Sequence, residues 1–211
     1  MTPTAGRSIL LFLLAPLCAA CGCQRQSSAG GADSSNPFKI KLDAPFPEGW
    51  PSPSPPGVVC IKEYPVVRAA RVQGKGGGDA QFMTLFHHIQ ERKIPMSAPV
   101  VMEFPSAPDA PASMAFLYAK SDFGPNGGFG GVTVSDDAPL KVVSVGAWGA
   151  YTKGLRVRGA ARLREWLQSH PEWGPVGEVR VLCYHSPFHF PWNKYSETQI
   201  RVLPAVPVPG A

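Results

Sequence analysis

Residues 81–102 read Gln-Phe-Met-Thr-Leu-Phe-His-His-Ile-Gln-Glu-Arg-Lys-Ile-Pro-Met-Ser-Ala-Pro-Val-Val-Met, and this stretch decides the fold. Phe82, Leu85, Phe86 and Ile89 recur at i, i+3, i+4 and i+7, which gives a helix one apolar face. Asp79 stands where it can cap that helix, which runs to about Arg92. A tight connection follows from Lys93 to Pro99, its shape fixed by Pro95 and Pro99. Residues 98–104 are apolar and read as a strand.

The flanks extend this unit. Residues 58–72 read as a strand broken near Tyr64-Pro65, and 113–119 as a further strand. The same order returns about 80 residues later. Strand 140–151 leads into a helix at 157–169, with Ala160, Leu163, Trp166 and Leu167 on one face, and strands 178–185 and 196–203 follow. Each half is β-α-β-β. Identity between the halves is slight, so the repeat is one of pattern. The glycine clusters at 74–78 and 127–131 read as flexible turns, and neither has phosphate-loop spacing.

Lys93-Ile94-Pro95-Met96-Ser97-Ala98-Pro99-Val100 resembles the signature of the SOUL/heme-binding protein family, with Ser97 in place of the usual Thr. Ile61-Lys62-Glu63-Tyr64-Pro65 resembles its opening strand, and Trp166-Leu167 to Trp173 its second helix and turn. Tyr184-His185-Ser186-Pro187 with Glu197 resembles its C-terminal element. The resemblance covers residues 57–204. It implies an α+β fold of duplicated β-α-β-β units, with a curved antiparallel sheet or distorted barrel and two packed helices. It further implies heme or a related tetrapyrrole as cofactor, held in an apolar groove between the first helix and a C-terminal loop. Carried onto this chain, that groove takes Phe82, Phe86 and His88 from the helix and Phe190 and Trp192 from the aromatic loop 186–195. Arg92, Lys93 and Lys194 are placed to pair with the propionates.

Residue chemistry qualifies that expectation. His is a common axial ligand to heme iron. His87 falls opposite the apolar face and His88 at its flank, so His88 is the better candidate and two solvated helix histidines are the plainer reading. Met96 can ligate iron but more often fills a core gap. His185 and His189 read as ordinary loop histidines, and no zinc-site spacing occurs. Heme is therefore expected to bind through apolar contact more than through iron ligation, with no other metal.

The alternative uses different residues. The family is related to gyrase-inhibitory-protein-like domains, in which a Glu on the last strands sits in the cleft between the halves and binds cationic drugs. Some of those domains hydrolyse small molecules. Tyr184 and Glu197 are the matching residues here. A Glu facing an apolar cleft has a raised pKa and can act as a base. The chain would then bind or hydrolyse another small molecule, or serve as a non-catalytic interaction module. No G-x-S-x-G, S-x-x-K or Cys/His nucleophile motif occurs, so binding rather than catalysis is expected.

The N-terminus suggests a location. Residues 1–20 read as an export signal: Arg7, an apolar run from Ser8 to Leu17, then small residues before Cys21. The run is too short to span a membrane. Leu17-Cys18-Ala19-Ala20-Cys21 resembles a bacterial lipobox, with Cys21 as lipid acceptor and Cys23 its competitor. The expectation is an exported, lipid-anchored protein of the bacterial cell envelope. Residues 21–56 read as a flexible, Pro-rich tether, although Phe38, Ile40, Leu42, Phe46 and Trp50 would also suit an ordered arm. Residues 205–211 read as a disordered tail. The net charge is +5 with no Lys/Arg run, so no nucleic-acid partner is expected. Cys60 and Cys183 lie on expected strands, either as small hydrophobes or as a disulfide that export would permit.

Overall fold

The structure, a computed structural model, describes residues 38–74, 77–105 and 110–205. The expected export signal 1–20, the acceptor Cys21 and most of the tail lie outside the described residues. Nine strands form one antiparallel sheet: β1 (Val59–Tyr64), β2 (Val67–Gln73), β3 (Val100–Phe104), β4 (Ser113–Leu117), β5 (Gly127–Phe129), β6 (Val132–Asp137), β7 (Leu140–Trp148), β8 (Trp173–Cys183) and β9 (Tyr195–Pro204). The helices are α1 (Gly77–Glu91) and α2 (Lys153–Gln168). A single 3-10 turn, Pro191–Asn193, precedes β9.

The strand order is β1-β7-β9-β8-β3-β4-β2-β6-β5. One half, β2-α1-β3-β4, supplies β3-β4-β2, and the other, β7-α2-β8-β9, supplies β7-β9-β8. The order therefore reads the same outward in both directions from the β3–β8 seam, as a duplicated unit requires. The sheet is curved and unclosed, with β1 and β5 as free edges.

Several details differ from the sequence reading, strand β6 among them, which that reading did not expect. Residues 127–131 are not a plain loop. Gly127–Phe129 pairs with Val132–Val134, and the positive φ of Gly130 (56°) and Gly131 (89°) builds the turn between them. Helix α2 begins four residues earlier than its apolar pattern does. Thr152 caps it by accepting the Leu155 N–H.

Alternation on the strands gives the sheet two apolar faces. On one, Leu85 and Ile89 of α1 pack with Ala70, Met114, Phe116 and Val134. Leu163 and Leu167 of α2 pack there with Val143, Val145, Ile200 and Val202. The opposite face carries Val67, Ala69, Val101, Leu117, Leu182, Tyr184 and Tyr195, and among the described residues no helix covers it. Residues 38–56 cover it instead. Phe38, Ile40, Leu42, Phe46 and Trp50 pack onto this core. Backbone bonds hold the arm from both sides: Ala98 N–H to the Pro45 carbonyl at 2.9 Å and Glu48 N–H to the Ala119 carbonyl at 3.0 Å. This stretch is thus part of the fold, and the ordered arm rather than the tether describes residues 38–56.

Candidate functional site

Each helix rests on the strands of its own half. Helix α1 lies over β2, β4 and β6, and α2 over β7, β8 and β9. The seam between the halves is left open, and a groove runs along it on the helix face. Its floor is Val100, Met102 and Cys183, one wall is Phe82 and Met83 of α1, and the other wall is His185, Pro187 and Phe188. Two adjoining chambers share these residues apart from Met102. One, of ≈ 470 Å³, reaches Tyr151 and Lys194. The other, of ≈ 450 Å³, reaches Phe86, Met96 and Asp43 of the arm. Phe188 stands 95% exposed at the rim.

The polar groups lining the groove are mostly engaged. His185 Nδ1 accepts the Tyr195 N–H at 3.0 Å, so the ring proton sits on Nε2, which faces the Lys41 carbonyl at 2.9 Å. Both ring nitrogens are used, and His185 is neither a free base nor a free ligand. The Tyr151 hydroxyl accepts the His185 N–H at 2.9 Å. It also lies 3.1 Å and 3.2 Å from the His185 and Tyr195 carbonyls. Burial pushes the Cys183 thiol up to about 12, which removes it as a nucleophile near neutral pH. Lys194 Nζ donates to the Pro187 carbonyl at 2.9 Å and keeps further donors at the groove's end.

Of the residues expected in the groove, Phe82, Phe86 and Lys194 line it. The two phenyl rings are stacked at 6.1 Å. His88 does not line it. The buried face of α1 is Gln81, Leu85, His88 and Ile89, so His88 points inward and Phe82 and Phe86 take the flank. His88 Nε2 lies 3.0 Å from the Tyr118 hydroxyl, beside the Phe129 ring. Arg92 lies over Phe129 at 3.7 Å. Arg92 and Lys93 line a separate cavity of ≈ 570 Å³ with Tyr118 and Phe123, away from Lys194. Phe190 and Trp192 stack on each other at 4.9 Å, more than half exposed, and line neither chamber. Met83, Tyr151 and His185 were missed as groove residues. The alternation of Val181, Cys183 and His185 against Leu182 and Tyr184 carried the signal for His185.

His88 makes a pH prediction. Burial, aided by Arg92, lowers its pKa below the usual 6.5. The folded protein then holds it neutral, while the unfolded chain binds a proton below pH about 6.5. Stability should therefore fall as pH drops through 6.5 toward the lowered value. Melting temperatures of wild type and His88→Gln across pH 5–8 check this, and the slope should be shallower in the variant.

The alternative pair, Tyr184 and Glu197, lies on the opposite face beneath the arm. Glu197 sits mid-β9 between β7 and β8 and is fully buried. Its Oε1 accepts from Lys62 Nζ at 2.6 Å and from the Ser54 N–H. Its Oε2 accepts from Ser144 Oγ at 2.8 Å and Gln199 Nε2 at 3.1 Å. Lys62 Nζ also donates to the Ser52 carbonyl at 2.7 Å. Desolvation lowers the Lys62 pKa, and Glu197 opposes that shift. Burial, with the Glu197 charge, raises the Tyr64 and Tyr184 hydroxyls well above their usual value. The Tyr195 hydroxyl donates to the Ser54 carbonyl across Gly146, where a Cβ would overlap both groups. Cys60 and Cys183 are both free thiols.

No family model matches the chain, and no curated protein matches it. Among solved structures it is similar to the C-terminal domain of EcmrR, at 15% identity over 70% of this chain and 98% of that one, with TM-score 0.54. It is similar to a hydrolase from Listeria innocua, at 11% identity over 71% and 94% of the two chains, with TM-score 0.56. An EcmrR–DNA complex matches at 14% identity over 70% of this chain, with TM-score 0.54, and the chain spans 58% of that protein's length. At such identities the likeness establishes the fold.

These findings correct several expectations. The SOUL/heme-binding resemblance does not hold: no such family model matches, and the similar structures are the EcmrR C-terminal domain and Listeria innocua hydrolases. The heme cofactor falls with it. Among the described residues no group of three or more His, Cys, Asp or Glu is placed to hold a metal ion, and His88 is spent on Tyr118. The exported, lipid-anchored envelope location, read from residues 1–21, is corrected on the same comparison. Among the described residues no helix is long and apolar enough to cross a membrane. The expectation against catalysis is overturned by the repeated likeness to Listeria innocua hydrolases. The exclusion of nucleic acid, drawn from charge alone, is overturned because one protein with this fold is seen bound to DNA.

Proposed function

We propose that this domain takes up an apolar organic small molecule in the groove along the β3–β8 seam. The observation that carries this reading is the groove itself: two adjoining chambers of ≈ 470 and 450 Å³ with apolar walls and a few polar groups at the ends. Small-molecule sites have this size and this lining. Nile red, an apolar fluorescent probe, tests it. Phe188 is exposed, so Phe188→Ser should leave stability unchanged. Burying one large apolar side chain contributes about 1.5–3 kcal/mol, so the variant should bind the dye at least tenfold more weakly. Equal affinity in the two proteins would exclude the groove.

A hydrolytic reading has one observation in its favour. Glu197 is the only fully buried carboxylate among the described residues, surrounded by Lys62, Ser144 and Tyr184. Buried ionisable clusters of this kind are over-represented at reactive sites. Residues 52–54 roof the cluster, so they must lift before substrate reaches it. A panel of fluorogenic esters and lactones, assayed on wild type and Glu197→Gln, tests this. If Glu197 acts as general base, the variant should lose about 10²-fold or more in rate. Retained turnover in the variant would remove Glu197 from the chemistry.

A further inference from the structure

Arg180 on β8 lies on the sheet face away from the helices and is 4% exposed. Its Nε and Nη1 are buried without a hydrogen-bond partner. Glu103 Oε1 stands 3.8 Å from Nε, beyond hydrogen-bond range, and is held instead by Arg201 Nη2. Glu103 Oε2 accepts from Ser113 Oγ at 3.1 Å. Arg201 in turn leaves its own Nε buried and unpartnered. Arg71 is bound in bidentate fashion by Asp137, at 3.0 and 2.7 Å.

Several of these side chains line an open cleft of ≈ 340 Å³. Arg71, Glu103, Asp137 and Arg201 form its polar wall, and Ala138, Pro139 and Leu140 its apolar wall. Arg180 does not line the cleft; its Nε stands 3.8 Å from Oε1 of Glu103, which does, so its guanidinium lies behind that polar wall. Three guanidinium groups here face two carboxylates, leaving one positive charge without a counter-charge. A buried, uncompensated charge with unpartnered N–H groups is costly. A guanidinium fork complements the oxygens of a carboxylate or a phosphate.

We propose that this cleft binds a small organic anion, whose carboxylate or phosphate head sits on the half-exposed Arg201 guanidinium, drawn there by the surplus Arg180 charge behind it, while its apolar part lies on Pro139 and Leu140. The site is on the opposite face of the sheet from the seam groove and does not depend on it. Burial and the neighbouring Arg201 both lower the Arg180 pKa, a shift that a bound anion would oppose.

Benzoate and phenyl phosphate are suitable probes, titrated into the full chain at ionic strength held constant with chloride. Calorimetry and the melting temperature are read together. Saturable stabilisation by either probe is the expected result, and the stronger one identifies the head group. Arg201→Gln, at the half-exposed mouth, should weaken binding at least tenfold. Arg180→Met removes the buried charge and should abolish the anion dependence altogether. If Arg180→Met does not fold, Arg201→Gln decides alone. The proposal is overturned if neither probe shifts the protein beyond the chloride control. It is equally overturned if the folded Arg variants respond as wild type does.

Discussion

A chain begun at Gly57 should lose its cooperative fold. Phe38, Ile40, Leu42 and Phe46 are half-buried and Trp50 is buried, all on the sheet face opposite α1 and α2. A fully buried side chain of this size contributes about 1.5–3 kcal/mol, so the five together are worth roughly 5–10 kcal/mol. That is comparable to the ~5–15 kcal/mol net stability of a typical domain. Truncation also removes the Ser54 N–H from Glu197 and the Ser52 carbonyl from Lys62, leaving buried polar groups short of partners. Far-UV circular dichroism on heating should show no sharp transition, and an apolar dye should bind the exposed sheet face. A cooperative melt within a few degrees of the full chain would show that the arm is a dispensable cover.

Lys62→Met should cost about 3–5 kcal/mol, because removing one partner of a buried ion pair strands the other. The Lys62 and Glu197 side chains are 7% and 0% exposed, and their oxygen and nitrogen are 2.6 Å apart. Three neutral donors remain on Glu197 from Ser54, Ser144 and Gln199, which favours the lower end of the range. Adding Glu197→Gln removes the stranded charge and should recover most of the loss: the amide oxygen accepts from the Ser54 N–H, and the amide NH2 donates to Ser144 Oγ and to a Gln199 side chain turned to present its oxygen. Urea titrations of the wild type, both single variants and the double variant give the coupling between the two residues. A single-variant cost under ~1 kcal/mol would mean that the neutral donors alone hold the carboxylate.

Local pattern determined a great deal. The 3.6-residue period of Phe82, Leu85, Phe86 and Ile89, and of Ala160, Leu163 and Leu167, was enough for both helices. The repeated β-α-β-β order was enough for the duplicated sheet, because strand and helix periodicities are local properties. The open seam follows from that order too, since each helix covers only its own half. Three things were decided by tertiary packing. The first is the rotation of α1. Its pattern leaves His88 at the flank, but Tyr118 offers a buried hydroxyl partner, so His88 turns inward and Phe82 and Phe86 face the groove. The second is the arm. Its scattered aromatics have no period, and their burial depends on a sheet face built from residues far along the chain. The third is the environment of Glu197 and Arg180. One carboxylate gathers donors from positions 54, 62, 144 and 199, while one guanidinium on the same face keeps two N–H-bearing nitrogens without a hydrogen-bond partner. Neither is visible in sequence, because sheet pairing, not chain proximity, sets which charges meet.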